Sequence, residues 1–122
     1  MPEIQLGTVE SKFADIIWEH EPVHSREIVK LAGEKLNWKK STTYTVLRRL
    51  CEKGIFANKN SIVSAVMSRA EFYSLQSEMF VQETFDGSLP AFLAAFTARK
   101  GRLSPEEVKE LRRMVAEYEE EV

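Results

Sequence analysis

The chain has 122 residues, 43% of them hydrophobic and 30% charged, which fits one compact domain or one small domain with an accessory segment. Met1 to Lys12 holds no apolar run of the signal-peptide kind, and the most apolar stretch, Leu89 to Phe96, is far too short for a bilayer, so neither export nor membrane insertion is expected. Cys51 is the single cysteine, which excludes an intrachain disulfide and a cysteine-based metal site within one chain; cytoplasmic residence is the expectation.

Net charge is −2, yet the charge is unevenly spread. From Lys35 to Lys59 seven basic residues stand against the single acidic Glu52, a local net of +6. From Arg69 to Val122 seven basic residues stand against eleven acidic ones, a net of −4. A basic block in an acidic chain is a directional field of the kind a polyanion answers. A solvated basic face without a partner has the same composition.

Taken in order, the first predicted helix is capped by Thr8 and runs from Val9 to His20, with Val9, Phe13, Ile16 and Ile17 on its apolar face. Glu21-Pro22 ends it, since proline cannot extend the hydrogen-bond ladder. Ser25 is the expected cap of a second helix, Arg26 to Leu36, whose apolar face carries Ile28, Val29, Leu31, Ala32 and Leu36. A short polar link, Asn37 to Lys40, leads to a third helix capped at Ser41 or Thr42 and running to Lys53. Gly54 takes the left-handed position beyond it. Ile55 to Met67, interrupted by Asn58-Lys59-Asn60-Ser61, reads as a β-hairpin.

Ser68-x-x-Glu71 is a capping box opening a fourth helix that Asp86-Gly87 stops near Phe85. Ser88-Leu89-Pro90 starts a very apolar fifth helix ending by Gly101. Ser104-Pro105-Glu106-Glu107 combines a cap, a proline at the first helical position and a glutamate at the third, and opens a sixth helix expected to reach the chain end. The expected fold is mainly α with a small β-hairpin: a winged helix-turn-helix domain over residues 1–68, then a helical dimerisation segment over 69–122.

The third helix has the pattern of a reading head. On a helical wheel Thr43, Val46, Leu47 and Leu50 form a packed back, while Tyr44, Thr45, Arg48 and Glu52 face the opposite way and Arg49 and Lys53 flank the buried stripe. Thr45 and Tyr44 can reach base edges, thymine methyls or phosphates, and Arg48 can grip guanine with both its forks. Lys39, Lys40, Ser41 and Thr42 stand at the helix start, where free amides and the helix dipole favour phosphate. Lys59 and Asn60 occupy the expected wing tip. Against this, an exposed helix commonly carries threonines and arginines, and Glu52 lies where it could pair with Arg48.

The tail has the pattern of a dimer module. Val108, Leu111, Val115, Tyr118 and Val122 recur at spacings of three and four. Two heptads do not hold a coiled coil alone, so further surface is expected from Phe72, Leu75, Met79, Phe80 and Phe85 on the fourth helix, and from Phe92 and Phe96 on the fifth. A two-fold dimer buries such a surface economically; a tail folded back on its own domain is the alternative. His20-Glu21-Pro22-Val23-His24 matches the zinc-protease pattern letter for letter, but Pro22 breaks the helix that the pattern requires, and an inter-helix turn is the simpler reading. No catalytic set, metal site or cofactor is expected. A module that uses the Tyr44/Arg48 face to grip a protein partner, without DNA, is the competing function.

Leu6 to Ser68 resembles the penicillinase repressor family, which includes the β-lactamase and methicillin-resistance repressors and copper-responsive relatives. The resemblance rests on Ala14-Asp15-Ile16-Ile17-Trp18, Ser25-Arg26-Glu27-Ile28-Val29, and above all the block from Thr42 through Leu50, continued by Cys51-Glu52-Lys53-Gly54-Ile55. Phe85-Asp86-Gly87-Ser88 and Leu103-Ser104-Pro105-Glu106-Glu107 match the tail in style. The resemblance implies a homodimeric repressor on palindromic double-stranded operator DNA. In the antibiotic-resistance members it also implies release through a sensor-linked protease that cuts an Asn-Phe pair. The matching pair here is Ala95-Phe96, the expected processing site, without the asparagine. The cysteine-rich metal motif of the copper-responsive members is absent, and the wing is less basic than is usual.

Overall fold

A computed structural model describes residues 6–119, which form two compact units meeting in sequence at Met79 and Phe80. In the first unit, helices α1 (Thr8–His20), α2 (Ser25–Leu36) and α3 (Lys40–Glu52) precede strands β2 (Phe56–Lys59) and β3 (Ile62–Ala65); a two-residue strand β1 (Val23–His24) lies between α1 and α2. Helix α4 (Arg69–Phe85) starts in the first unit and ends in the second, which is completed by α5 (Leu89–Lys100) and α6 (Pro105–Glu117). None of the described helices is long and apolar enough to cross a membrane.

The first unit has a closed core. Phe13, Ala14 and Ile17 of α1, Ile28 and Ala32 of α2, and Val46, Leu47 and Leu50 of α3 meet Phe56 and Val63 of the wing. Val9, expected on the packed face of α1, is 52% exposed instead. The turn between α2 and α3 is held from both ends. Asn37 takes the left-handed conformation (φ 56°), and the Trp38 ring packs at a tilt against Phe13 with centroids 4.9 Å apart.

The wing is a three-stranded antiparallel sheet in the order β1-β3-β2, one strand more than the expected hairpin. Lys59 faces Ile62 in the register, so the turn is only Asn60-Ser61, and Asn58 and Lys59 belong to the strand. Both turn residues have positive φ (53° and 68°), the signature of the tight turn whose twist suits a hairpin. Val23 pairs with Val63 and His24 with Ile62; beyond this short edge the Ala65 N–H donates to Glu21 Oε1 at 3.1 Å. A side-chain carboxylate thus continues the ladder where β1 stops.

Three helix starts differ from expectation. The α1 cap is Gly7, whose N–H donates to Glu10 Oε1 at 3.2 Å, not Thr8. The α2 cap is His24, whose Nδ1 accepts the Arg26 N–H at 3.1 Å; Ser25 is buried beneath it. Helix α3 starts at Lys40 with Lys39 as its cap, ahead of Ser41 and Thr42. The Ser68/Glu71, Ser88 and Ser104 starts lie as expected, and Glu71 is held below the usual carboxylate range mainly by the Ser68 backbone N–H. At the other end, α6 stops at Glu117 with Tyr118 capping it, short of the chain end; Val122 lies outside the described residues.

Helix α4 is anchored in the first unit by aromatic packing. The Trp18 indole N–H donates to the Met67 carbonyl at 3.0 Å, and its ring lies against Phe56 and Phe72 at 5.3 and 5.5 Å. Phe72, counted in sequence among the dimerisation residues, is 1% exposed in this core and so offers no surface to a second chain. Phe72→Ala is expected to lower stability by about 3–5 kcal/mol, read as a fall in the urea midpoint at unchanged slope.

In the second unit Phe80, Phe85 and Phe92 pack edge to face at 5.7–5.9 Å, and Phe96 stacks on Phe92 at 6.2 Å. Lys100 Nζ donates to Glu107 Oε2 at 2.8 Å and ties the end of α5 to the start of α6. This bond, with the Ser104 amide, brings the Glu107 carboxyl down to about 2. A depressed carboxylate stabilises fully above its unfolded value of 4.5 and loses that effect as pH falls toward 2. The stability difference between the wild type and Glu107→Gln is therefore expected to be full at neutral pH and to vanish across that acid window, as followed by thermal melts.

Candidate nucleic-acid interface

One side of α3 is fixed by the core: Thr43, Val46, Leu47 and Leu50 are all buried. The Thr43 hydroxyl donates to the Lys39 carbonyl at 3.0 Å, so this polar group enters the core satisfied. With about 100° per residue, burial of that side turns Ser41, Thr42, Thr45, Arg48, Arg49 and Glu52 outward, and all six are exposed. The result is one strip of hydroxyls and cations along the outer face, closed at its far end by the carboxylate of Glu52.

Each member of the strip is differently prepared. The Thr45 hydroxyl donates to the Ser41 carbonyl at 2.9 Å, which leaves its oxygen as an acceptor and its methyl turned outward. Arg48 is exposed, and among the described residues no carboxylate lies within ion-pair distance of it; the Glu52 pairing considered from sequence does not form. Arg49 Nη1 lies 3.6 Å from Glu10 Oε2 on α1, so its charge is shared with the scaffold. Tyr44 does not face fully outward as the wheel suggests. It is half-buried against the core, because its position borders the packed side and its ring covers apolar surface there.

The start of α3 is open. Lys39 supplies no side-chain acceptor, in contrast to the starts of α2, α5 and α6. The first-turn amides therefore point outward without intrahelical acceptors, beside the exposed ammonium groups of Lys39 and Lys40. Free amides, the positive end of the helix dipole and two lysines converge there, and such a place suits an oxyanion. Lys59 and Asn60 are exposed on the wing, at the end of β2 and in the turn that follows it. The structure thus gathers Lys39, Lys40, Ser41, Thr42, Thr45 and Arg48 on one surface, with Tyr44 and Arg49 at its borders and Lys59 and Asn60 on the hairpin. The Glu10 partnership was invisible in sequence order; only the glutamate three residues after Gly7 hinted at a capping role for it.

Enzymatic readings find no support in this geometry. In the His20–His24 segment the two imidazoles belong to different elements and different bonds: His20 Nδ1 meets the Ile16 carbonyl at 2.8 Å, while His24 caps α2. Cys51 is half-buried, and burial pushes its thiol up, with Glu52 adding to the shift, which disfavours a thiolate nucleophile.

Comparison with known proteins agrees with this arrangement. The sequence model of the penicillinase repressor family matches residues 6–117, which covers both units. The chain is also similar to the penicillinase repressor of Bacillus licheniformis, at 23% identity over 118 residues, covering 93% of this chain and 91% of that protein. A match over nearly the whole length places the chain in the penicillinase repressor family, whose members are transcription regulators and not enzymes.

Proposed function

We propose that the chain is a sequence-specific repressor that binds a palindromic operator in double-stranded DNA as a homodimer. The observation that carries this reading is the outer strip of α3: hydroxyls and a free arginine on a helix whose other side is locked into a core, beside an open, lysine-flanked start. In this reading α3 enters the major groove. Thr42, Thr45 and Arg48 meet base edges, while Ser41 and the amides, Lys39 and Lys40 hold phosphates. Tyr44 contributes its hydroxyl from the border, Lys59 and Asn60 reach the flanking backbone, and Arg49 stays at the border beside Glu10.

The second unit supports the dimer. Neither α5 nor α6 buries a single residue within the chain. Val115 and Tyr118 are 67% and 80% exposed, Phe80, Leu93 and Phe96 are open as well, and Val108, Leu111 and Phe92 are half-covered beside them. A cleft of about 360 Å³ between α5 and α6 is lined mostly by apolar carbon, including Phe92, Leu93 and Phe96. So much exposed apolar surface in one small unit marks an interface. A second copy covers it symmetrically and sets two α3 helices on two half-sites. Leu75 and Met79 of α4 are half-buried in the first unit and take a smaller part. A sensor-linked protease fits the same unit: Ala95 and Phe96 are exposed midway along α5, where a cut would split that interface helix.

Four outcomes test the reading. Fluorescence anisotropy on the gene's own upstream region and on random duplex, across a salt series, is expected to show a preference that survives physiological salt, with a symmetric selected site. No binding even at low salt would leave a protein-interaction module instead. Arg48→Ala is expected to cost about 1–3 kcal/mol and to relax the preference at one base pair. Lys40→Ala is expected to weaken all sequences alike and to lower the salt slope by about one. Sedimentation should find a dimer that Val115→Asp dissociates; a monomeric wild type would overturn the dimer.

A further inference from the structure

The carboxylate of Glu10 has two unlike oxygens. Oε1 accepts the Gly7 N–H and closes the start of α1. Oε2 is buried and receives no hydrogen bond, yet it faces two cations of α3: Arg49 Nη1 at 3.6 Å and Lys53 Nζ at 4.0 Å. The Glu10 side chain is 23% exposed, so its charge is little screened by solvent, while Arg49 is 54% exposed and lies at the border of the outer strip. A desolvated carboxylate oxygen without a donor is costly unless nearby cations offset it. Drawing Arg49 or Lys53 toward a phosphate removes that offset.

We propose that Glu10 is a specificity-determining positioning residue of the DNA interface: it holds Arg49, with Lys53 beside it, against α1, and keeps Arg49 out of sequence-independent phosphate binding. This rests on the DNA-binding reading above. Binding to random DNA depends on how many phosphates are neutralised, whereas the base contacts of Thr45 and Arg48 are untouched by Glu10. A carboxylate that occupies two cations beside the strip therefore weakens random binding more than specific binding.

Glu10→Gln tests this cleanly, because the amide oxygen still accepts the Gly7 N–H while the charge is gone. Anisotropy on a random-sequence duplex over a salt series is expected to show several-fold tighter binding by E10Q. The salt slope should steepen by about 0.9, the effect of one released cation, Arg49. In an Arg49→Ala/Lys53→Ala background the same change should alter neither quantity. A folding defect only weakens binding, so it cannot imitate this gain. An unchanged slope in E10Q, with the wild type bound, overturns the proposal, and so does a steepening that persists without Arg49 and Lys53. A wild type that ignores random duplex at low salt overturns the DNA reading itself, and this inference with it.

Discussion

Thr43, Val46, Leu47 and Leu50 lock one side of α3 into the core, and the rotation of that helix about its own axis follows. Burying a leucine or valine side chain stabilises by about 1.5–3 kcal/mol, so turning α3 by one residue would expose several such groups at once. Everything on the outer face inherits this constraint. Arg48 is exposed because Leu47 and Leu50 are not, and Thr45 bonds back to Ser41 because both lie on the free side. The packing of Trp38 against Phe13 adds a second restraint at the helix start, where Lys39, Lys40 and the open amides converge. A reading face of fixed geometry is thus a by-product of hydrophobic packing.

The two units solve the burial problem differently. The first closes a core around α1, α2, α3 and the wing, with α4 pinned to it through Trp18 and Phe72. The second relies on aromatic pairs and local polar devices, the Ser104/Glu107 capping box and the Lys100–Glu107 bond, and leaves most of its apolar side chains open. Local devices shape helices without closing a core. In the proposed dimer an element of that kind is completed by association with a second copy, which places two α3 helices on two half-sites.

Features written in a few neighbouring residues were legible in the sequence. Ser68-x-x-Glu71, Ser88, Ser104-x-x-Glu107 and Gly54 lie where local capping chemistry puts them, and the packed face of α3 was readable from its period. Features set by distant partners were not. Strand β1 is two residues long and exists only through pairing with Val63 and Ile62. Phe72 looks like an interface residue on its own helix and becomes core only because Trp18 stands opposite. Tyr44 sits at a border where packing, not period, decides. The Glu10–Arg49 approach joins residues on different helices, and charge counting saw only a free arginine.

The claim that joins these observations is that the outer face and open start of α3 meet duplex DNA. Amide hydrogen exchange, compared with and without duplex carrying the upstream region, tests it residue by residue. The first-turn amides of α3 have no intrahelical acceptors and exchange fast in the free protein. The account predicts that amides of residues 40–42 slow markedly on DNA binding, that those of the Asn60-Ser61 turn slow less, and that α5 and α6 do not change. Protection confined to α5 and α6, with the α3 start still exchanging freely, would contradict it.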